Sequence, residues 1–361
     1  MARKPSGPLR RGWTTGACAT AATRAAYGAL LTGVFADPVT ITLPRGERPS
    51  FALARESLGD GAAMAAIVKD AGDDPDVTHG ALVIARVRRA AAGSGVTFKA
   101  DEGVGTVTRP GLPLAVGEPA INPTPRRLMR AVVAELAHAH GERGDVEIAI
   151  AIPNGERLAQ RTMNGRLGIK GGLSILGTTG IVVPYSCAAW IAAIRQGVDV
   201  ARAGGLDHIA AATGATSEAA VRALYDLPEI ALIDMGDFVG GLLKYLRDYP
   251  VARLTIAGGF AKIAKLAAGD LDLHSARSRV DIDLLAGWLG DAGGDAALVA
   301  QARRAETGAQ VLALAGDPSV ALADRVARAA RGTAATVLGD GIAVAVLIFD
   351  RQGALIGRSD G

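Results

Sequence analysis

Short apolar segments alternate with amphipathic segments of helical spacing along the second half of the chain, and turns containing glycine separate them. The unit repeats three times and ends on one further apolar segment. Strand–turn–helix units of this kind are joined by right-handed crossovers, so this half is predicted to be an α/β domain with a small parallel sheet of about four strands. The predicted strands are residues 208–213, 230–234, 251–257 and 342–350, and the predicted helices are 217–225, 238–247 and 260–268.

The first half has a different pattern, in which predicted strands often follow one another directly. Such an arrangement is typical of an α+β layer. We place the boundary near residues 184–189, which gives an α+β domain over residues 1–186 and an α/β domain over residues 187–361. In the first domain the predicted strands are residues 39–43, 51–55, 81–88, 96–100 and 146–152, and the predicted helices are 17–31, 61–68 and 125–140.

Composition narrows the classes of function. Glycine accounts for 47 of 361 residues, about twice the usual ~7%, and lies between apolar segments, which favours tight turns over disorder. The 39 basic and 36 acidic residues give a net charge of +3, and only 4% of residues are aromatic. No Lys/Arg-rich stripe with interleaved aromatics is present, so nucleic acid is an unfavoured partner. Most of the basic residues are arginines, which suit an acidic small molecule.

Cysteine content and apolar runs indicate the compartment. Cys18 and Cys187 cannot form a disulfide framework or a zinc site by themselves, which fits a reducing environment. The longest apolar runs are shorter than the ~18 residues that suggest a membrane span. Arg10 and Arg11 precede an Ala-rich stretch in the manner of a twin-arginine export signal, but Arg24 interrupts that stretch. We therefore expect a cytoplasmic protein that does not associate with membranes.

The carboxyl ends of the predicted parallel strands are the first candidate site, because ligands bind at that edge of an open sheet. Asp234 follows Gly214 by 20 residues, which is close to the spacing at which an acidic residue meets a cofactor ribose. Asp234 is therefore predicted to accept the hydroxyl groups of an adenosyl ligand, although it could equally end a strand and cap a turn, and no GxGxxG motif is present. The predicted cofactor-binding residues are Gly214, Thr216, Asp234, Gly236, Gly258 and Gly259.

Basic residues near helix starts are the second candidate. A helix predicted to begin near Thr124 carries Arg126 and Arg127 in its first turn, where the helix dipole favours negative charge. A bound anion would reverse this mismatch, because free N–H groups and two guanidinium groups would converge on one carboxylate. Lys262 is a second basic residue near a predicted helix start, just after Gly258 and Gly259. Solvated basic residues with no ligand are an equal alternative.

An acidic turn with one histidine is the third candidate. Asp73, Asp74, Asp76 and His79 lie within seven residues. His79 or Asp76 could serve as a general base. A turn in which aspartates bond their own backbone is the commoner outcome, and with a single histidine and no calcium-loop spacing no metal site is predicted.

Two threonine pairs could donate to oxyanions, since each adjoins a glycine with exposed amides. Thr14 and Thr15 open the first helix, and Thr178 and Thr179 close the glycine-rich run. Helix and turn capping is the alternative at both places. The pair His274-Ser275 is likewise either a site or a cap for a helix over residues 276–289.

Long motifs support a more specific interpretation. These motifs are the runs LRRGWTTGACA (9–19), DAGDDPDVTHG (70–80), EGVGTVTRPGLPLAVGEPAINPTPRR (102–127), NGRLGIKGGLSILGTTGIVVPYS (164–186), GDFVG (236–240), AGGFAKIAKLAAG (257–269) and His274-Ser275. In these segments the chain resembles the CbiD family of cobalt-precorrin-5B C(1)-methyltransferases. It departs from the family pattern at Gly165, which replaces a usual proline, and at residues 259–261, which replace a His-Ile-Gly type of turn.

The resemblance implies a reaction and a fold. S-adenosylmethionine would methylate C-1 of cobalt-precorrin-5B in anaerobic cobalamin biosynthesis, giving cobalt-precorrin-6A and S-adenosylhomocysteine, with cobalt present only in the substrate. The implied fold is an α+β domain joined to a small α/β domain with a four-stranded parallel sheet. We expect the first domain to bind the tetrapyrrole and the second the methyl donor. The resemblance does not supply catalytic residues.

A tetrapyrrole fringed with carboxylates needs several cations around a broad cleft, which we expect between the domains, beside the glycine-rich run. A non-catalytic carrier of an unstable corrin intermediate is the alternative function, and it would need the same cations but no methyl-donor site. The sequence leaves open whether the chain forms a homo-oligomer and whether it makes transient contacts with other corrin-pathway enzymes. The predicted substrate-binding residues are Thr14, Thr15, Arg109, Arg126, Arg127, Arg166, Lys170, Thr178, Thr179, Lys262 and Lys265.

Overall fold

A computed structural model describes residues 7–316 and 319–359. The chain forms two compact units, Met1–Ser186 and Cys187–Gly361. Both units combine helices with sheets of several strands, so the prediction of a mixed α and β chain is confirmed.

The first unit is built on a five-stranded sheet of order β4-β5-β6-β9-β7, in which neighbours are antiparallel except for the parallel pair β7 and β9. Its strands are β1 (Gly12–Trp13), β2 (Val39–Thr40), β3 (Ser50–Phe51), β4 (Arg55–Gly59), β5 (Ala62–Val68), β6 (Leu82–Arg89), β7 (Val96–Ala100), β8 (Thr106–Val107), β9 (Val146–Ala151), β10 (Ile169–Lys170) and β11 (Ile181–Val182). Its helices are α1 (Thr15–Thr32), α2 (Pro123–Ala139) and α3 (Gly155–Ala159).

Helix α1 forms the centre of the first core. Thirteen of its eighteen residues are buried, and seven of these thirteen are alanines, which allow β5, β6 and α2 to approach closely. Thr14 caps its first turn, and Gly33 ends it in the left-handed conformation.

Two predictions for this unit are wrong. Residues 61–68 were predicted to be a helix because the segment is rich in alanine, but they form strand β5, which pairs with β4 on one side and β6 on the other. Helix α2 begins at Pro123 after Asn122, not at Pro125 after Thr124, and Asn122 makes no side-chain cap. Arg126 is therefore the fourth helical residue rather than the second.

The second unit contains a five-stranded sheet of order β13-β12-β14-β15-β16, in which the first four strands are parallel and β16 is antiparallel. Its strands are β12 (His208–Ala212), β13 (Leu232–Asp234), β14 (Arg253–Gly259), β15 (Ala343–Phe349) and β16 (Leu355–Arg358). Its helices are α4 (Cys187–Ala203), α5 (Ala215–Tyr225), α6 (Val239–Asp248), α7 (Phe260–Ala267), α8 (Ile282–Asp291), α9 (Ala296–Ala302), α10 (Gly308–Leu314) and α11 (Ser319–Leu338).

Both faces of this parallel sheet are covered. Ala210 and Ala257 face a small cluster that includes Val221 of α5, whereas Ile209 and Ile256 face a large cluster formed with α4, α6, α7, α8, α10 and α11. Strand β12 is apolar on both faces for this reason.

One expected helix start in the second unit is wrong. Helix α8 begins at Ile282 and is capped by Asp281, not by His274-Ser275. His274 instead accepts the Ala276 N–H on Nδ1 at 3.2 Å, within a turn.

Candidate functional site

The order of the parallel strands places a crevice at the carboxyl edge of the second unit. The chain passes from β12 to β13 on one side and then to β14 on the other side of β12. The point where successive connections diverge is where open α/β sheets bind ligands. Gly214 and Gly259 lie there, and a Cβ atom added to either would meet nothing within 4 Å. The backbone at this edge is therefore open to a ligand.

Gly258 is a glycine for a different reason. An added Cβ would lie 2.9 Å from the Thr213 side chain and 2.9 Å from Cδ1 of Ile263. Its lack of a side chain lets β14 and β12 approach closely, whereas Gly259, the next residue, leaves open space.

Lys262 connects the ends of two strands at this crevice. Its Nζ donates to the Thr213 carbonyl at 3.0 Å and lies 3.0 Å from Oδ1 of Asp237. That oxygen is buried and receives no well-oriented hydrogen bond, so we treat the contact with Lys262 as an ion pair that neutralises charge without a directed N–H. Lys262 thereby links the turn that follows β12 to the turn that follows β13.

The turn after β13 carries the predicted ribose-binding residue. Asp234 is partly buried at the last position of β13, in register with Ala212 of β12. Its carbonyl accepts the indole N–H of Trp190 at 3.1 Å. Gly236 has φ +53°, a left-handed conformation that favours glycine. With exposed Thr216 in the first turn of α5, all six predicted cofactor-binding residues lie at one edge of the sheet, and their role stays a prediction.

The glycine-rich run of the first unit pairs with two other segments of that unit. Ile169 and Lys170 of β10 face Val107 and Thr106 of β8, and Ile175 bridges to Ile121. A Cβ atom on Gly172 would lie 2.2 Å from the Gly103 carbonyl oxygen. These glycines allow backbone segments to touch.

The predicted substrate cations divide into exposed and engaged groups. Arg109, Arg127 and Lys170 are exposed, and the stem of Arg109 lies over Gly168. Arg166 is partly buried. The guanidinium of Arg126 donates to Glu118 at 2.6 Å and to the carbonyls of Pro119 and Ile121 at 2.9 and 2.7 Å; only 13% of its side chain is exposed.

Arg126 and Lys265 therefore do not suit the predicted role of substrate contacts. Arg126 fastens the start of α2 to residues 118–121. Lys265 is 7% exposed, and its Nζ donates to the Leu273 carbonyl at 2.9 Å, so it anchors the segment after α7. A buried ammonium with this role has no access to a large ligand.

The threonines are also mostly engaged. Thr14 accepts the Ala17 N–H at 3.1 Å, and Thr15 is buried with its hydroxyl on Leu176. Thr179 exchanges hydrogen bonds with the backbone of Ile181. The capping interpretation is observed for Thr14 and Thr179, whereas Thr15 bonds the distant backbone of Leu176. Thr178 alone of the four is exposed.

Asp76 does not suit the predicted role of general base. Its Oδ2 pairs with buried Lys69 at 2.6 Å, and its Oδ1 accepts both the N–H and the hydroxyl of Thr78 at 2.7 and 2.6 Å. Burial by itself would raise the pKa of Asp76, but Lys69 and Thr78 outweigh burial and the pKa is lowered. A carboxylate held in this way is a weak base.

His79 has a different environment. Its side chain is 52% exposed, and Nδ1 accepts the Ala71 N–H at 3.1 Å, which assigns the ring proton to Nε2. Asp70 lies 3.9 Å from Nδ1, and its hydrogen bond with Arg10 lowers the pKa of this carboxyl to about 2. His79 can therefore donate from Nε2.

Other chemistry is limited. Burial raises the pKa of the Cys18 thiol to about 12, so this thiol stays protonated. Across residues 7–316 and 319–359 no three His, Cys, Asp or Glu side chains converge as a metal site. The helices of those same ranges include none with the length and apolar character needed to cross a membrane.

A parallel sheet covered by helices on both faces, with an open glycine edge, is the architecture at which α/β proteins commonly bind ligands; the other unit has a mostly antiparallel sheet. The chain belongs to the CbiD family: the CbiD model matches residues 2–184, and the model for the CbiD C-terminal domain matches residues 272–360. The resemblance predicted from the sequence motifs is thereby confirmed.

Curated relatives match over nearly the whole chain. A Cobalt-precorrin-5B C(1)-methyltransferase from Paramagnetospirillum magneticum is 60% identical over 351 residues, covering 97% of this chain and 98% of the relative. Proteins of the same name from Methylorubrum extorquens and Rhodospirillum rubrum are 60% and 59% identical, covering 97% of this chain and 98% and 97% of those proteins. The crystal structure of a cobalamin biosynthesis protein (cbiD) from Archaeoglobus fulgidus is 28% identical, with a TM-score of 0.40, covering 75% of this chain and 84% of that one.

Two residues at the sheet edge, Asp237 and Trp190, were given no role from the sequence. Asp237 lies inside the GDFVG run but was not assigned, although its proximity to Asp234 was a signal. Trp190 lies 44 residues before Asp234 and gave no signal, because only the packing of α4 beside β13 brings them together.

Proposed function

We propose that this chain is a cobalt-precorrin-5B C(1)-methyltransferase that takes its methyl group from S-adenosylmethionine in cobalamin biosynthesis. The observation that carries the proposal is the 60% identity, across 97% of the chain, to relatives of that name. The open glycine edge of the second unit supports a methyl-donor site, because it offers exposed backbone beside a strand-end carboxylate.

At this edge we assign three tasks to residues of the chain. Asp234 accepts the ribose hydroxyls. Gly214 and Gly259 leave room for the ligand to approach the backbone. Lys262, predicted from the sequence to bind the tetrapyrrole, is reassigned to the carboxylate of the donor's amino-acid end, since an ammonium has three N–H donors and Thr213 takes one.

S-adenosylmethionine supplies a methyl group on a sulfonium whose positive charge disappears during transfer. The chain therefore needs no covalent nucleophile; positioning and exclusion of water are its contributions. The ion pair of Lys262 with Asp237 keeps the local charge near neutral, which avoids trapping the sulfonium in its ground state.

For the tetrapyrrole we propose the exposed cations of the first unit: Arg109, Arg127 and Lys170, together with Arg166 and Thr178. Guanidinium groups bind carboxylates in a bidentate manner, and separated cations suit a substrate with carboxylates around its rim. His79 is proposed as a hydrogen-bond donor near this substrate.

The deciding experiment is an assay of the purified chain with cobalt-precorrin-5B and methyl-labelled S-adenosylmethionine. Label should appear in the tetrapyrrole, and Asp234→Ala should weaken S-adenosylhomocysteine binding at least roughly tenfold, about 1.4 kcal/mol. Binding of the tetrapyrrole without label transfer would favour the non-catalytic carrier instead.

A further inference from the structure

Trp190 is an aromatic residue left partly exposed at the carboxyl end of β13. It lies in the first turn of α4 and packs against the large apolar cluster of the second unit. The other tryptophan of that unit, Trp288, is only 8% exposed, and Phe260 and Phe349 are 6% and 4% exposed. Trp190 therefore differs from these aromatic residues in being only partly buried.

Two contacts hold the indole in place. Its N–H donates to the Asp234 carbonyl at 3.1 Å, which satisfies the polar atom of the ring and fixes its orientation. A Cβ atom on Gly236 would lie 3.2 Å from the indole Cζ2 and 3.3 Å from Cε2, so the indole lies directly against the turn after β13. The partly buried Phe238 ring, 6.3 Å away between centroids, packs beside it.

This geometry fits the flat end of an adenosyl group. Asp234 and Trp190 meet at the carboxyl end of β13 through the Asp234 backbone carbonyl, so a ligand whose ribose binds Asp234 has its base close to the indole. Aromatic rings bind bases by stacking, with little dependence on hydrogen bonds. A ring already fixed by a backbone carbonyl loses little conformational freedom when a ligand binds.

We propose that Trp190 is the stacking platform for the adenine of the methyl donor. The proposal rests on the proposed function, because it presumes that the donor binds at this edge. It adds a specificity-determining residue, since a platform of this kind selects a planar base at the end of the ligand remote from the sulfonium.

The test is calorimetric titration of the full chain and its variants with S-adenosylhomocysteine, combined with tryptophan fluorescence. Trp190→Ala should weaken binding at least roughly fivefold, and Trp190→Phe by less, because a phenyl ring can still stack. The adenine ring of bound S-adenosylhomocysteine should quench the tryptophan fluorescence of the natural protein. Trp190→Phe should lose that quenching. Trp288→Phe is the matched control in the same unit, and it should keep both the affinity and the quenching.

The outcomes separate the two proposals. If the natural protein fails to bind S-adenosylhomocysteine, the proposed function is overturned. If the natural protein binds and Trp190→Phe, shown to be folded by circular dichroism, keeps both full affinity and full quenching, the platform is refuted while the methyl-donor site stands. Loss of quenching in Trp190→Phe with retention in Trp288→Phe supports the platform even where Trp190→Ala does not fold.

Discussion

Asp76 and His79 lie in the same turn, yet the side chain of Asp76 is fully engaged in the fold whereas His79 can still donate a hydrogen bond. Lys69 and Thr78 occupy both oxygens of Asp76, whereas no described residue accepts a hydrogen bond from Nε2 of His79. The sequence placed both residues together as candidate bases. It could not show which atoms were engaged, because that depends on contacts with Lys69 and Ala71 that only the folded turn creates.

Substitution of His79 distinguishes donation from base catalysis. Glutamine places an amide N–H near the position of the imidazole Nε2, whereas asparagine replaces only the Nδ1 side of the ring. We expect His79→Gln to retain more turnover than His79→Asn, measured as kcat for the tetrapyrrole at saturating donor. Equal turnover in both variants and the natural protein would leave His79 without a part in the reaction.

Asp76 stabilises the fold by compensating a buried charge. Asp76→Asn should lower the free energy of unfolding at pH 7 by about 3 kcal/mol, because Lys69 is 1% exposed and would lose its carboxylate partner. Adding Lys69→Met removes the orphaned charge and should restore most of the loss. Urea titrations of the two variants provide the measurement.

The pH dependence has a defined sign. The pKa of Asp76 is lowered by folding, so its contribution is present above the ordinary carboxyl range, near pH 4, and is lost as the pH falls through the lowered value. Asp76→Asn should therefore be less sensitive to acid over that interval than the natural protein. An unchanged acid response would argue against this ion pair as the cause.

At the scale of elements, periodicity located the four parallel strands of the second unit and helices α5, α6 and α7, because strands buried on both faces and short glycine turns leave a strong pattern. It did not locate α4 or β16. It failed at β5, where five of seven residues are alanine or methionine and alternation is weak. Pairing with β4 and β6 decides the conformation of that segment, and such long-range pairing is not encoded locally.

The glycine pair that ends β14 gives an element-scale test. Gly258→Ala should destabilise the second unit by about 1–2 kcal/mol, because the methyl group meets Thr213 and Ile263 at 2.9 Å. Gly259→Ala meets open space and should unfold like the natural protein, yet weaken S-adenosylhomocysteine binding, since the methyl group projects into the proposed site. Thermal melts and calorimetry on both variants separate packing from binding.

At the scale of the whole molecule, the sequence indicated two units with different patterns of strands and helices, and it indicated a protein family. The family is confirmed. Individual ligand contacts were less predictable. Arg126, Lys265 and Thr15 have the right chemistry for an acidic ligand, but each donates to a carbonyl or carboxylate of its own chain. Residue type alone cannot reveal such internal partners.

The division of tasks between the units can be measured. Arg109→Ala with Lys170→Ala removes two exposed cations from the first unit, so the KM for the tetrapyrrole should rise at least roughly tenfold while S-adenosylhomocysteine affinity stays unchanged. Arg126→Ala should instead lower the melting temperature, because it breaks the contact with Glu118. A parallel loss of affinity for both ligands would point to general destabilisation.

The burial of α1 has a consequence for motion. Its amides lie inside a core of small side chains, and its first turn is fastened by Leu176 and Gly180 to the end of the glycine-rich run. Such a helix cannot fray from its N-terminus while that run stays in place. Amide protons of α1 should therefore exchange with deuterium only when the first unit opens as a whole, and mass spectrometry should find them among the slowest in the protein.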